Sequence, residues 1–274
     1  MAAPSKARII ALANQKGGVG KTTTTLCLAR AASHYYGARV LVLDMDMQGN
    51  ATSTLAKTEL AGDDITIADA ITPGTKIELR EVIVPTIWDG VDLAPGGQTL
   101  AVAEQHILAS QFGREQRLRE AVTHVRGDYD LVLIDNAPAL GMLLVNSLVA
   151  ADAAVLIAEP HRWSSDGLAM LGATLAGVRG YHNPSLEITG CIVNKWRGTA
   201  SEKRRADEMV EGFALHFPGV PVWLDRRVPL WTGITETLDA GLGLDQGKDA
   251  KLRVLSEDVL KPFAALLLDG KAAA

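Results

Sequence analysis

The 274-residue chain is 47% hydrophobic with a formal net charge of −5; it holds enough apolar material for a large core and is too acidic to coat nucleic acid with its whole surface, so any such contact needs a local basic patch. Aromatics make up only 5%, and a composition led by Ala, Leu, Val and Gly suits parallel strands covered by helices over an antiparallel sandwich. The two cysteines, Cys27 and Cys191, lie in apolar segments with no CxxC or metal-ligand spacing, which predicts buried thiols in a reducing, cytoplasmic setting.

In chain order, the first eight residues run straight into an apolar stretch at 9–13, leaving no room for a signal-peptide core. That stretch is the first predicted strand, followed by a helix over 21–34. Further strands are predicted at 40–44, 91–94, 131–135, 153–158 and 188–194, and further helices at 114–125, 165–180, 200–217 and 250–268, the last kinked or broken near Pro262. Residues 139–158 are apolar enough to raise a membrane span, but Asn146 and Asp152 interrupt them, and a helix followed by a strand accounts for them. The alternation predicts an α/β fold: a mostly parallel, twisted sheet with helices on both faces. Without repeats or low-complexity linkers, and with the Gly/Pro spots at 73–74 and 95–97 only loop-sized, one domain over 1–274 is expected, flexible at 1–8 and 270–274.

Chemistry concentrates between the first strand and first helix, in Gly17, Gly18, Val19, Gly20, Lys21 and Thr22. Strand, glycine loop and helix come in the order of a phosphate-binding P-loop. Glycines let the backbone pass through positive φ and bring N–H groups to phosphate oxygens, and the helix N-terminus adds its positive dipole end. By position, Lys21 supplies charge for β- and γ-phosphates and the Thr22 hydroxyl ligates Mg²⁺. These residues predict a P-loop NTPase.

Taken with Asn14, Gln15, Lys16 and Thr23, the segment resembles the deviant Walker A box of the ParA/MinD family of ATPases. The resemblance implies ATP and Mg²⁺ as cofactors, with Lys16 to Thr23 around the nucleotide. It also implies that Lys16 reaches across a homodimer interface to the partner's phosphates. Residues 43–52, with Met47 in place of a usual proline, are similar to the family's D-x-D-P-Q-G-N-A-T box. Asp46 then orients the attacking water and Asp44 supports the magnesium shell. Residues 129–141 resemble the family's Walker B strand and second switch, with Asn136 and Ala137 as departures. Four apolar residues ending in Asp135 fit a central strand that carries a carboxylate toward the metal. Asn194 matches a family position that contacts adenine, and a loop-start Asn capping the next segment explains it as well. The chain begins at its first strand, without the DNA-reading extension of self-regulating members.

Family members of the ParA type bind nonspecific DNA as ATP dimers through basic residues in the final third, and work with a ParB-like partner. Here Lys195, Arg197, Lys203, Arg204, Arg205, Arg226 and Arg227 form the candidate stripe for phosphate contact. Glu202, Asp207 and Glu208 interleave with them, as on an ordinary solvated helix face, and Pro229 stands near where relatives often carry another arginine. The final helix holds Glu257 and Asp258 and few cations, which argues against a membrane anchor. The resemblance thus implies a cytoplasmic, nucleoid-associated, weak and partner-stimulated ATPase that positions plasmid or chromosomal DNA. Positioning of a non-DNA cargo, a P-loop synthetase of the dethiobiotin or cobyrinate type, and an ATP-binding adaptor remain as alternatives.

Overall fold

The computed structural model describes residues 6–14, 16–61, 64–160 and 165–270. Among them, eight strands form one sheet: β1 (Arg8–Ala13), β2 (Val40–Met45), β3 (Val84–Pro85), β4 (Val91–Ala94), β5 (Leu131–Asn136), β6 (Ala153–Ala158), β7 (Glu187–Val193) and β8 (Val222–Trp223). Their order is β3-β4-β2-β5-β1-β6-β7-β8. All pairings are parallel except that of β3 with β4. The helices are α1 (Lys21–Tyr36), α2 (Asn50–Leu55), α3 (Ile67–Ile71), α4 (Leu79–Val82), α5 (Thr99–Ala109), α6 (Arg117–Thr123), α7 (Met142–Ala150), α8 (Ser165–Tyr181), α9 (Ala200–His216), α10 (Thr232–Asp239), α11 (Ala250–Leu255) and α12 (Lys261–Asp269).

The central strands read as unbroken apolar runs because both faces of the sheet are covered. Ile9, Ala11 and Ala13 of β1 enter one core with Leu143 and Leu148 of α7, while Ile10 and Leu12 enter the other with Leu26 and Leu28 of α1 and Phe263 of α12. Both cysteines are buried and free, as predicted. Residues 142–158 do form a helix and then a strand, and no described helix is long and apolar enough to cross a membrane.

Several expectations are corrected. Residues 6–8 are part of the fold: Ala7 is fully buried and donates its N–H to the Arg126 carbonyl at 3.1 Å, and the Arg8 guanidinium donates to the Leu266 carbonyl at 3.0 Å. Gly270 caps α12 in a left-handed conformation; residues 1–5 and 271–274 lie outside the described ones. The helix predicted over 114–125 shortens to α6. The last helix is broken near Pro262, as expected: a π-helical turn at Ser256–Leu260 interrupts it, and Pro262 sits in the first turn of α12. Proline lacks the N–H of a regular ladder, so placing it at a segment start avoids a lost hydrogen bond. Strands β3 and β8 and helices α2 to α5 and α10 were not predicted.

The sheet order sets up one end of the molecule. Strand β5 lies between β1 and β2, with Asp135 in register with both Leu12 and Asp44. The loop after β1 and the carboxylates ending β2 and β5 therefore converge at the strands' C-terminal ends, where open α/β sheets bind ligands.

Candidate functional site

The loop between β1 and α1 needs its glycines for two reasons. Gly18 and Gly20 have φ of 73° and 88°, left-handed values that L side chains rarely take. A Cβ on Gly20 would also fall 2.2 Å from the Asn194 amide nitrogen. The loop mouth is tied down by Asn14, whose amide donates to the Ile157 carbonyl and whose Oδ1 accepts the Lys16 N–H at 2.8 Å. Lys16 is half-buried, and its side chain has no hydrogen-bond or ion-pair partner among the described residues. Gly17 lies beside Pro138 of the segment after β5: a Cβ there would stand 3.7 Å from the proline ring. Thr22 and Thr23 are half-buried in the first turn of α1.

Lys21 is only 6% exposed. Its ammonium donates to the Lys16 carbonyl at 3.4 Å. Burial holds its pKa below the ordinary lysine value, opposed by the charges of Asp135 and Asp46. Asp135 is fully buried; its Oδ1 accepts the Thr25 hydroxyl at 3.1 Å, and Thr22 lies near enough to favour its charged form. Its Oδ2 is buried with no hydrogen-bond partner. Burial, then the charge of Asp44, pushes the Asp135 carboxyl up to about 7, against the pull of Thr22, Thr25 and Lys21. An orphaned buried carboxylate oxygen beside a threonine hydroxyl is a donor set suited to a hard divalent cation.

Asp44 is placed differently. Its Oδ2 accepts both the N–H and the hydroxyl of Thr52, at 2.8 and 2.7 Å, and its Oδ1 accepts the Asp46 N–H at 3.2 Å. Thr52 in turn accepts the Gly96 N–H at 2.9 Å. A Cβ on Gly96 would lie 2.1 Å from the Asp44 carbonyl oxygen. Asp44 thus ties the 46–52 loop to the 95–97 turn through Thr52. Asp46, 8% exposed, accepts the Gln48 N–H at 2.9 Å.

The end of β7 closes the loop's outer side. Asn194, 4% exposed, donates its amide to the Val19 carbonyl at 2.9 Å, and its Oδ1 accepts the Lys195 N–H at 2.8 Å. Its amide grips the phosphate loop itself, besides holding the start of the following segment. Lys195, expected in the basic stripe, turns inward instead and donates its ammonium to the Gly18 carbonyl. The remaining cations divide into two groups. Arg227 stacks over the Trp196 ring at 4.4 Å, Arg226 lies 3.5 Å from Asp225, and Arg197 pairs with Glu202 at 3.5 Å. Lys203, Arg204 and Arg205 are exposed on α9. Glu202 is not part of a solvated face; it is fully buried and caps α9 together with Thr199.

Thr25, Thr52, Gly96 and Lys195 were not anticipated in these roles. A signal existed for Thr25, which stands three residues after Thr22 on one helical face. No group of three or more His, Cys, Asp or Glu side chains suited to a metal occurs among the described residues.

A family model described as an AAA domain matches residues 7–188. An uncharacterized Mycobacterium tuberculosis protein is 38% identical over 190 residues, covering 69% of this chain and 58% of its own length; the chain thus spans little more than half of that relative. The sporulation initiation inhibitor protein Soj of Bacillus subtilis is 38% identical over 190 residues, 68% of this chain and 72% of Soj. The chromosome partitioning protein ParA of Myxococcus xanthus is 36% identical over 208 residues, 75% and 71% of the two chains. Among solved structures, cobyrinic acid a,c-diamide synthase from Mycobacterium smegmatis, with bound ADP and magnesium, superposes with a TM-score of 0.78 at 26% identity over 97% of both chains. The septum site-determining protein MinD of Pyrococcus horikoshii, complexed with Mg-ADP, shares the fold at a TM-score of 0.71 and 22% identity over 98% and 100% of the chains. The glycine loop, the two carboxylate-ended strands and these matches agree: the chain belongs to the ParA/MinD family of P-loop ATPases.

Proposed function

We propose that the chain is a ParA-type ATPase that binds ATP and Mg²⁺, closes into a face-to-face homodimer, binds DNA without sequence preference and positions DNA with a ParB-like partner. The observation that carries the nucleotide half is the orphaned Asp135 Oδ2, buried beside Thr22 and the Lys21 ammonium at the mouth of a glycine loop.

In this reading, Gly17 to Thr23 wrap the phosphates, Lys21 holds their charge, and Thr22 and Asp135 hold the cation. Magnesium there would neutralise charge shared by the β- and γ-phosphate oxygens. Asp46, on a loop that Asp44 and Thr52 hold rigid, orients the attacking water. Lys16 serves the partner's nucleotide, consistent with an ammonium that has no partner within its own described chain. The DNA surface is assigned to Arg197, Arg226 and Arg227 around Trp196 and to Lys203, Arg204 and Arg205 on α9. Such a patch makes phosphate contacts that order the protein on DNA without reading bases. Acting in the cytoplasm and on the nucleoid belongs to the same proposal.

The test is DNA retention with ATP, with ADP and without nucleotide, across salt. Binding with ATP alone, falling steeply as salt rises, is the expected result; DNA binding that ignores nucleotide would overturn it.

A second reading has one observation in its favour, the 26% identity over nearly the whole chain to a cobyrinic acid a,c-diamide synthase. A synthetase would release phosphate in response to a small carboxylate substrate and be indifferent to DNA.

A further inference from the structure

Lys195 is the one non-glycine residue with positive φ among the described residues, at 56°. For a side chain with a long aliphatic stem this left-handed conformation is disfavoured, and it persists only where the surroundings over-determine it. The surroundings are specific. On one side, Asn194 donates to the Val19 carbonyl at 2.9 Å and accepts the Lys195 N–H. On the other, Trp196 donates its N–H to the Val228 carbonyl at 3.0 Å and accepts the Leu230 N–H at 3.0 Å. The backbone is held at both flanks, and the kink between them delivers the Lys195 ammonium to the Gly18 carbonyl.

The consequence follows from peptide geometry. In a trans peptide the C=O and the next N–H point to opposite sides of the chain. Gripping the Gly18 and Val19 carbonyls from outside therefore aims the Val19 and Gly20 N–H groups toward the inside of the loop. Neither N–H donates to any group among the described residues, which is the state of amides that receive an anion.

We propose that Lys195 is a positioning residue for the phosphate loop: its ammonium, braced by Asn194 and Trp196, fixes the Gly18–Val19 peptide so that the loop's amides face the triphosphate before it arrives. The inference rests on the phosphate-loop reading above. It assigns Lys195 to nucleotide affinity and removes it from the DNA surface. Preorganised donors raise affinity because the cost of ordering them is met at folding.

The experiment compares wild type with Lys195→Met, Lys195→Arg and Lys195→Gly by calorimetric ATP binding, steady-state hydrolysis and thermal midpoint without nucleotide. Losing one charge-assisted hydrogen bond is expected to weaken ATP binding about tenfold in Lys195→Met. KM is expected to rise in step while kcat stays within about twofold, the signature of lost uniform binding. Lys195→Arg, which keeps a cationic donor, is expected to recover most of the affinity. Lys195→Gly separates conformation from charge: it adopts positive φ freely yet lacks the ammonium, and is expected to match Lys195→Met. A nucleotide-free midpoint close to wild type shows that the variants are folded. Wild-type affinity in either Lys195→Met or Lys195→Gly would overturn the proposal, as would a fall in kcat with KM unchanged. Should wild type itself bind no ATP, the phosphate-loop reading fails, a result distinct from a binding-competent wild type with an indifferent variant.

Discussion

Two buried carboxylates end neighbouring strands in register, Asp44 on β2 and Asp135 on β5, and they have opposite surroundings. Asp44 is saturated by its own chain, through Thr52 and the Asp46 N–H. Asp135 keeps one oxygen unpartnered. Burial raises the pKa of both, so desolvation does not distinguish them. The difference is hydrogen-bond supply, and it separates a residue that holds a loop from one that keeps a buried oxygen without a partner. At Asp44 the hydrogen bonds from Thr52 and Asp46 offset part of the burial cost; at Asp135 one oxygen has no such offset, a cost that a cation can relieve.

The largest expected effect is at the open carboxylate. Asp135→Asn removes the negative charge while keeping shape, and magnesium-dependent ATP turnover is expected to fall by about 100-fold or more. Turnover within a few-fold of wild type, measured by phosphate release, would break the comparison. The same substitution has a second readout in protein free of nucleotide and metal. The Asp135 carboxyl lies at about 7 in the folded state, above the ordinary 3.8 of the unfolded chain. Between those values the folded state binds the extra proton. This group's contribution to stability is therefore greatest at low pH and is lost as pH rises through about 7. Denaturation midpoints of wild type and Asp135→Asn are expected to converge toward pH 4 and to diverge by pH 8, with the asparagine variant the more stable there. A constant difference across that window would mean that the buried charge is relieved by something other than protonation.

The two strand ends also differ in how far the sequence discloses them. Gly17 to Thr22 and Asp135 were legible because their meaning is local: a glycine run between strand and helix, and a carboxylate after an apolar tetrad. The partners of Asp44 were not. Thr52 lies eight residues on, and Gly96 beyond three intervening helices, so the network exists only once β2 and β4 pair. The same reason hid Lys195, whose inward turn depends on contact with a loop 177 residues earlier. The central strands and long helices were legible from apolar runs and caps. Helices α2 to α4, at four to six residues each, are too short to show a helical stripe. The two-residue strands β3 and β8 fall below any period-2 signal.

The next largest effect tests the closed end. Gly96→Ala places a methyl 2.1 Å from the Asp44 carbonyl, a backbone atom that cannot rotate away. The 95–97 turn has to move, at a cost of about 1–3 kcal/mol from overpacking. Urea denaturation measures the loss, and turnover is expected to fall with it because the turn anchors the loop that carries Asp46. An alanine variant of wild-type stability would show that this contact is slack.

The smallest effect isolates the hydroxyl that joins the two loops. Thr52→Val keeps the β-branched shape of Thr52, only 7% exposed, but deletes the donor to Asp44 and the acceptor for the Gly96 N–H. Two buried groups each lose a partner, although Asp44 Oδ2 keeps the Thr52 N–H. The expected loss is about 1–2 kcal/mol, nearer the worth of one buried hydrogen bond than of two. Thr52→Ser, which retains the hydroxyl, is expected to lose less despite its missing methyl. If serine proves the more damaging of the two, packing around Thr52 outweighs its hydrogen bonds, and Asp44 does not owe its settled state to this residue. If valine is worse, the contrast with Asp135 rests on the Thr52 hydroxyl: with it both oxygens of Asp44 are partnered, whereas Asp135 has Thr25 on one oxygen and no partner on the other.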